Sequence, residues 1–202
     1  FPIIIGLLGF FTLVYLGIWQ VNRLEWKLDK IENIEKKINA LSVNIPNNPT
    51  KLKHQYLSVK LEGRILDREL HVLTSTKKDG PGFKVISPFL TANDEIILVD
   101  LGFIPEIEKN SFRKKGFTIL EGNLLWPNEV DYFTPMPNYK ENIWFARDLN
   151  KMSKELGAIE LLVIASKLSL KNNIIYMPIN TNLTNNHLQY AITWFSLSIV
   201  WI

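Results

Sequence analysis

The first 22 residues of the chain carry no formal charge, and this run constrains the fold more than any other feature of the sequence. It reads FPIIIGLLGFFTLVYLGIWQVN. At about 1.5 Å per residue, twenty helical residues cross the hydrocarbon layer of a bilayer, which is about 30 Å thick. We therefore predict a transmembrane helix over residues 1–21. A signal peptide is the alternative, but its apolar region is usually about 7 to 15 residues and ends at a small-residue cleavage site, which is not visible here.

A second apolar run lies at the other end of the chain, in the sequence NNHLQYAITWFSLSIVWI at residues 185–202. No residue after His187 carries a formal charge. We predict that residues 185–202 begin a second transmembrane helix, truncated because this run is shorter than a full span. Two such helices return the chain to the side from which it started, so the segment between them lies on one side of the membrane.

The first helix is predicted to continue beyond the membrane. Leu24, Leu28, Ile31, Ile34 and Ile38 follow at steps of three and four residues, with charged residues between them. This spacing places one apolar stripe on a helix, and it predicts an amphipathic extension over residues 22–43 within one helix from about 2 to 41. The sequence NIPNNPT at 44–50 then ends the helix, because proline and asparagine favour turns.

Residues 44–184 have the pattern of strands rather than helices. Short β-branched or alternating runs separated by Gly, Pro, Asp and Asn predict strands at 56–65, 69–76, 83–90, 95–104, 118–126 and 159–166. Asp148 and Gly157 are typical first and last flanks of a short helix at 148–157. The predicted fold class is a membrane protein with two transmembrane helices flanking a mainly antiparallel-β α+β extramembrane domain, with a sheet or small barrel.

Composition and motifs exclude several functions. The net charge of +3 is too small to indicate nucleic-acid binding, and the absence of cysteine excludes disulfides, thiol catalysis and cysteine zinc sites. No GxSxG, HExxH, Walker A or GxGxxG motif is present. The histidines at positions 54, 71 and 187 are far apart in the sequence. His71 lies within a predicted strand, where a histidine is more often a surface residue or a core residue whose hydrogen bonds are satisfied. We therefore predict that the chain is not an enzyme.

The predicted topology brings polar residues of the two apolar ends to one membrane depth. Trp19, Gln20 and Arg23 then lie near the level of His187 and Tyr190. One interpretation is an aromatic belt, in which Tyr190 and Trp194 lie at the headgroup level and basic side chains extend toward water. The other is a haem site, because a neutral imidazole near a membrane boundary can be an axial ligand to iron, with a nearby cation on the propionates. Both interpretations are open at this point.

The two apolar ends resemble the terminal motifs of the surfeit locus family of cytochrome c oxidase assembly factors. The resemblance lies in LGIWQVNRLEWK at 16–27 and NNHLQYAITWFSLSIVW at 185–201. Weaker similarity runs through GPGFKVISP at 80–88, ILVDLGFIP at 97–105 and PNYKENIWFARDL at 137–149. The resemblance therefore spans nearly the whole chain. One departure is Leu101-Gly102-Phe103, where family members usually have Arg-Gly-Trp.

The resemblance implies a non-enzymatic chaperone role in building the haem-copper oxidase of the respiratory chain. It implies haem a as a transient cofactor, His187 as its iron ligand, and a site that includes Trp19, Gln20, Arg23, Tyr190 and Trp194. The expected partners are membrane lipid, the catalytic subunit of cytochrome c oxidase and haem a synthase. The expected location is a bacterial cell membrane or the mitochondrial inner membrane, with the domain in the periplasm or intermembrane space.

Two other functions are open on the sequence. A cofactor-free scaffold would hold an oxidase assembly intermediate while its helices only anchor it. A membrane-tethered hydrolase would need a nucleophile, a base and an orienting group, and no single motif supplies them. The sequence leaves open the source, the oligomeric state, the haem stoichiometry and the oxidase served.

Overall fold

The computed structural model describes residues 2–181 and 185–201. These residues form two compact units, a helical unit of Phe1–Lys36 with Asn180–Ile202 and a sheet unit of Lys37–Ile179. Residues 182–184, at the predicted boundary before the second apolar helix, lie outside the described residues. In chain order the elements are α1 (Pro2–Ile38), α2 (Lys51–His54), β1 (Ser58–Ile65), β2 (Leu70–Thr76), β3 (Gly80–Thr91), β4 (Ile96–Pro105), a 3₁₀ turn (Glu106–Glu108), β5 (Gly116–Leu125), β6 (Ile143–Trp144), α3 (Leu149–Leu156), β7 (Leu162–Leu168) and α4 (His187–Trp201).

The helical unit contains one helix that is long and apolar enough to cross a membrane. α1 has 37 residues, and its most apolar window has a mean hydropathy of 2.1 with only 6% of its residues buried. α4 has 15 residues, and among the described helices only α1 meets the length and hydropathy of a span. The first predicted membrane helix therefore has a structural counterpart, whereas a second span is not shown.

α1 ends at Ile38, three residues before the predicted end at 41. The side chain of Asn123 meets this end, where its Nδ2 donates to the Ile38 carbonyl at 3.1 Å. This bond satisfies one of the carbonyls that a helix leaves without a partner at its end. The chain then becomes extended, and Val43 forms a parallel bridge with Val59 of β1.

The sheet unit is a mixed sheet that closes on itself. Its strand order is β1-β5-β7-β4-β3-β2-β6, and β1 also pairs with β3, so five strands form a ring. Within the described residues, β4–β7 and β2–β6 are parallel and the other pairings are antiparallel. Gly63 lies at the closing seam, where a Cβ atom would collide with the Leu90 carbonyl. Closure into a barrel removes open strand edges, which explains its value in a small β unit.

Two apolar clusters lie on the two faces of this sheet. The larger fills the ring and includes the fully buried Val59, Phe89 and Leu120. The second lies between the outer face and α3, where Trp144, Met152 and Leu162 are almost completely buried. Because both faces of β4 are covered, eight consecutive residues of that strand are buried, and alternation is absent from its sequence.

The short helix α3 confirms its predicted flanks. Asp148 accepts a hydrogen bond from the Lys151 backbone N–H at 3.1 Å, and Gly157 ends the helix in the left-handed conformation with φ 66°. The last predicted strand, at 159–166, instead begins at Leu162, because Ile159 and Leu161 form a turn and bond with β4. Neither the two-residue β6 nor the single-turn α2 was predicted.

Candidate cofactor site on the helix pair

Aromatic side chains of α4 pack against glycines of α1. A Cβ atom added at Gly17 would lie 2.5 Å from the Phe195 ring, and one at Gly9 would collide with the Trp201 indole. Trp201 Nε1 also donates to the Gly6 carbonyl at 3.1 Å. Small residues let helices approach closely in an apolar environment, where dispersion contacts rather than water drive association. The glycines therefore fix how α4 lies on α1.

This packing brings together two of the predicted site residues, Gln20 and His187. Gln20 Oε1 lies 2.7 Å from His187 Nδ1. Gln20 is one of two residues buried in α1, the other being Gly17 one turn earlier. His187 is the first residue of α4 and is half-buried. The polar pair thus lies on the face that α1 presents to α4, beside the Gly17–Phe195 contact.

The other four predicted residues have different surroundings. Trp19 and Tyr190 are about half exposed, at 49% and 53%, and Trp194 is partly buried. Arg23 is exposed, and its guanidinium lies over the Trp26 ring, 4.0 Å from the ring centroid. The sequence reasoning did not include Trp26, although its position three residues after Arg23 indicates the contact on a helix.

The single imidazole of His187 suits a metal ion whose other ligands are supplied by a cofactor. Within residues 2–181 and 185–201, no group of three or more His, Asp or Glu side chains could hold a metal ion. A lone imidazole is insufficient for a protein-only metal site but is a common axial ligand of haem iron, to which the porphyrin supplies the remaining donors. The described residues give His187 Nε2 no hydrogen bond. This nitrogen is therefore the one that could bind a metal.

The sheet unit holds a separate buried charge cluster that the sequence did not predict. Asp100 of β4 is 1% exposed and lies 3.1 Å from the Arg147 guanidinium, which also forms an ion pair with Glu129. Burial raises the pKa of the Asp100 carboxyl, although Lys84 and Arg147 oppose that rise. Burial also favours the neutral form of Glu129, but the hydrogen bonds from Arg147 outweigh it and lower the Glu129 pKa.

A second cluster surrounds Glu69 at the start of β2. Its carboxylate accepts hydrogen bonds from Arg113 and from Lys115 Nζ, the latter at 2.7 Å, and lies 2.9 Å from His71 Nε2. Burial alone would raise the pKa of Glu69, but His71, Arg113 and Lys115 together hold it far below its usual range. His71 is 5% exposed, and its Nδ1 has no hydrogen-bond partner among the described residues. The prediction of a surface or fully satisfied His71 is therefore only partly met.

Comparison with known proteins places this chain in a family. The model of the SURF1 family matches residues 7–199. The "SURF1-like protein" of Rickettsia prowazekii (strain Madrid E) is 30% identical over 204 residues, covering 94% of this chain and 82% of the relative. A "SURF1-like protein" of Monosiga brevicollis is 31% identical, with 92% and 78% covered. The "Surfeit locus protein 1" of Homo sapiens is 31% identical, with 91% and 69% covered.

The structure defines the class as a mixed β-sheet protein that carries a candidate membrane helix. The chain belongs to the SURF1 family, so the resemblance of its two apolar ends to that family is confirmed. The relatives come from bacteria and from eukaryotes, and α1 is consistent with a membrane location.

Proposed function

We propose that the chain is a non-enzymatic assembly factor for haem-copper cytochrome c oxidase and that it binds haem a transiently at the membrane interface. The observation that carries the proposal is the Gln20–His187 pair between the two apolar helices, at 2.7 Å. The pair contains no carboxylate and lies beside exposed aromatic rings, which suits an amphiphilic macrocycle better than a hydrated metal ion. Haem a synthase would supply the haem, and the oxidase catalytic subunit would receive it.

In this proposal each residue has a distinct task. Haem a, when bound, would supply an iron with an open coordination position, and His187 would be the residue that holds it. Trp19, Tyr190 and Trp194 offer flat apolar surfaces for the macrocycle. Arg23, which is exposed, neutralises a propionate. A single protein ligand and half-exposed walls hold the cofactor less firmly than an enclosed pocket, which suits a protein that must release it.

We further propose that α1 and α4 both belong to transmembrane helices, and that the sheet unit lies in the periplasm or intermembrane space. The glycine-to-aromatic packing of α1 on α4 supports this, because close helix contacts through small residues are typical of membrane helices. Cysteine labelling tests the topology, since the chain has no natural cysteine. A single cysteine introduced in the sheet unit should react with an impermeant reagent added from the outer side. Reaction only from the cytoplasmic or matrix side would contradict the topology.

The haem proposal is tested by co-producing the chain with the haem a biosynthetic enzymes. The purified protein in mild detergent is compared with His187→Ala by reduced-minus-oxidised visible spectra. We expect a haem a signal in the natural sequence and its loss in His187→Ala. His54→Ala is the matched control, because His54 contacts the Thr50 backbone N–H in the sheet unit and should leave the signal unchanged. No haem in any folded variant would contradict the proposal.

The roles of His187 and Arg23 can be separated in the same assay. Arg23→Ala should reduce haem retention less than His187→Ala, because Arg23 would act only on propionate charge. Equal loss in both, with the fold intact, would contradict this division of roles.

A cofactor-free scaffold is the second candidate, and one exposed apolar segment favours it. Between β5 and β6, Tyr132 and Phe133 are 95% and 86% exposed, and their rings contact edge to face. The turn is fixed because Asp131 Oδ1 accepts bonds from the Phe133 N–H and the Thr134 hydroxyl, at 2.9 and 2.8 Å. Exposed aromatic side chains held in place are typical anchors of protein interfaces.

The scaffold function predicts that these two rings bind the oxidase catalytic subunit. Replacing both by serine, as Tyr132→Ser with Phe133→Ser, should abolish co-purification of that subunit while haem content is unchanged. Phe112→Ser is the control, because Phe112 is 90% exposed on the separate loop between β4 and β5. Normal co-purification of the double variant would exclude the segment as the anchor.

A further inference from the structure

Gln20 occupies a position where an amide needs a specific partner. Only 9% of its surface is exposed, on a helix that carries no formal charge before Arg23. A buried polar group without a hydrogen bond costs free energy, so its contact with His187 decides whether Gln20 is tolerated there. The contact is short, at 2.7 Å, and is made by the carbonyl oxygen Oε1 of the amide.

With Oε1 facing the imidazole, as in the structure, the chemistry of the two atoms decides which ring nitrogen carries the proton. A carbonyl oxygen only accepts hydrogen bonds, so Nδ1 must carry the proton and donate it to Oε1. In a neutral imidazole the other nitrogen, Nε2, then holds the lone pair and is ready to bind a metal. If the amide presented its NH₂ group instead, Nδ1 would accept and Nε2 would be protonated and unable to ligate.

We infer that Gln20 is a positioning residue that holds His187 as the Nδ1–H tautomer with Nε2 free for iron, rather than a residue that touches the cofactor. This rests on the proposed haem function, and it assigns Gln20 a different task from Trp19 and Tyr190. Histidine ligands commonly donate their second ring N–H to a carbonyl or carboxylate that orients the ring. Here the acceptor is a neutral amide, which withdraws the proton less than a carboxylate does.

The neutral acceptor has a consequence for cofactor release. A carboxylate at this position would raise the basicity of His187 and strengthen its bond to iron, whereas an amide orients the ring with less of that effect. A glutamine therefore combines a fixed tautomer with moderate affinity, as a protein that passes its cofactor onward requires. Gln20→Glu should retain the tautomer and bind haemin more tightly, while Gln20→Met should lose the tautomer preference.

The first experiment measures the tautomer in the cofactor-free full chain in detergent micelles. Two-bond ¹H–¹⁵N correlation spectra of ¹⁵N-histidine protein distinguish the two tautomers, and His187→Gln identifies the His187 signals. We expect Nδ1–H in the natural chain and in Gln20→Glu, and a mixture of tautomers in Gln20→Met. A helix contact without a tautomer role would lower thermal stability in Gln20→Met without changing the tautomer. An Nε2–H signal in the natural chain would overturn the inference even if no variant folds.

The second experiment measures ligation with ferric haemin as the probe. Gln20→Met should bind haemin roughly 10- to 100-fold more weakly than the natural chain, whereas Gln20→Glu should bind it more tightly than the natural chain. If His187→Ala binds haemin as well as the natural chain, the proposed function fails. The tautomer role of Gln20 is then decided by the ¹H–¹⁵N spectra alone. If His187→Ala loses binding but Gln20→Met changes neither tautomer nor affinity, the inference fails and the proposed function stands.

Discussion

The helical unit and the sheet unit handle buried polar groups in opposite ways. The helical unit joins Gln20 to the half-buried His187 by one hydrogen bond, beside glycines and aromatic rings. The sheet unit instead encloses ion pairs, in which Asp100 is paired with Arg147 and the partly buried Glu69 with Arg113 and Lys115. A charge is tolerated when several partners surround it, whereas a neutral pair needs only one hydrogen bond. The sheet unit therefore depends on its ion pairs for stability, whereas the helical unit holds its polar pair by a single hydrogen bond.

The strongest way to test this contrast is to remove the partner of the most buried charge. Arg147→Met removes the ion-pair partner of Asp100, which is 1% exposed, and leaves it only the more distant Lys84 charge and the Gly102 N–H. We expect the free energy of unfolding to fall by about 3 to 5 kcal/mol, measured by denaturant titration of the full chain in detergent. Arg68→Met is the control, because its ion pair with Glu155 is exposed and should contribute less than about 1 kcal/mol. Equal effects of the two variants would contradict the assigned role of Arg147.

The Glu69 cluster should make the stability of the sheet unit depend on pH. Because the folded pKa of Glu69 is depressed, its contribution is present above its ordinary pKa of 4.5 and is lost as the pH falls below that value. Glu69→Gln should lower the free energy of unfolding at pH 7 by about 1 to 3 kcal/mol and flatten its decline below the ordinary pKa. Unfolding curves collected from pH 7 downward measure both effects. If the free energy of unfolding of Glu69→Gln falls with acid as steeply as that of the natural chain, other carboxylates cause the pH dependence.

The contact between α1 and α4 at Gly17 should be sensitive to the volume of the side chain at that position rather than to its charge. Gly17→Val places atoms where the Phe195 ring lies, so we expect overpacking that costs about 1 to 3 kcal/mol and separates Gln20 from His187. The imidazole ¹⁵N signals of His187 report that separation. Gly6→Val is the matched control, since a Cβ atom at Gly6 meets nothing within 4 Å. A His187 spectrum that is unchanged by Gly17→Val would show that the glycine is dispensable.

The smallest effect should come from the N-terminal cap of α3. Asp148→Ala removes the side chain that accepts from the Lys151 N–H, and we expect a loss of about 1 kcal/mol in the free energy of unfolding. Asp148→Asn retains an acceptor and should recover most of this loss. A loss as large as that of Arg147→Met would mean that Asp148 has a further role in the sheet unit.

Local signals in the sequence predicted the elements better than their assembly. The apolar run of α1 and the Asp148 and Gly157 flanks of α3 act within a few residues, so the sequence indicates them directly. The parallel β4–β7 pairing and the closure of β1 on β3 join distant segments, and no turn signal specifies them. The hydrogen bond at the end of α1 could not be predicted for the same reason, because Asn123 lies 85 residues from Ile38.

The candidate site also has one part that the sequence predicted and another that depends on the folded structure. A shared membrane depth for Gln20 and His187 followed from the expected topology, but their direct contact depends on how Phe195 and Trp201 fit the glycines of α1. The charge clusters of the sheet unit were not predicted, because Asp100 and Arg147 are separated by 47 residues and only the folded sheet joins them. Trp26 was missed as the aromatic partner of Arg23 although helical spacing indicates it.

The closed ring of strands also bears on how copies of this protein behave when crowded. Unpaired strand edges can pair with other chains. Closure leaves β2 as the outer strand, and the two-residue β6 covers it at His71 and Val72. The uncovered remainder runs only from Leu73 to Thr76 and is mostly hydroxylated. The sheet unit thus presents a short, polar edge, which protects it from amyloid-like aggregation.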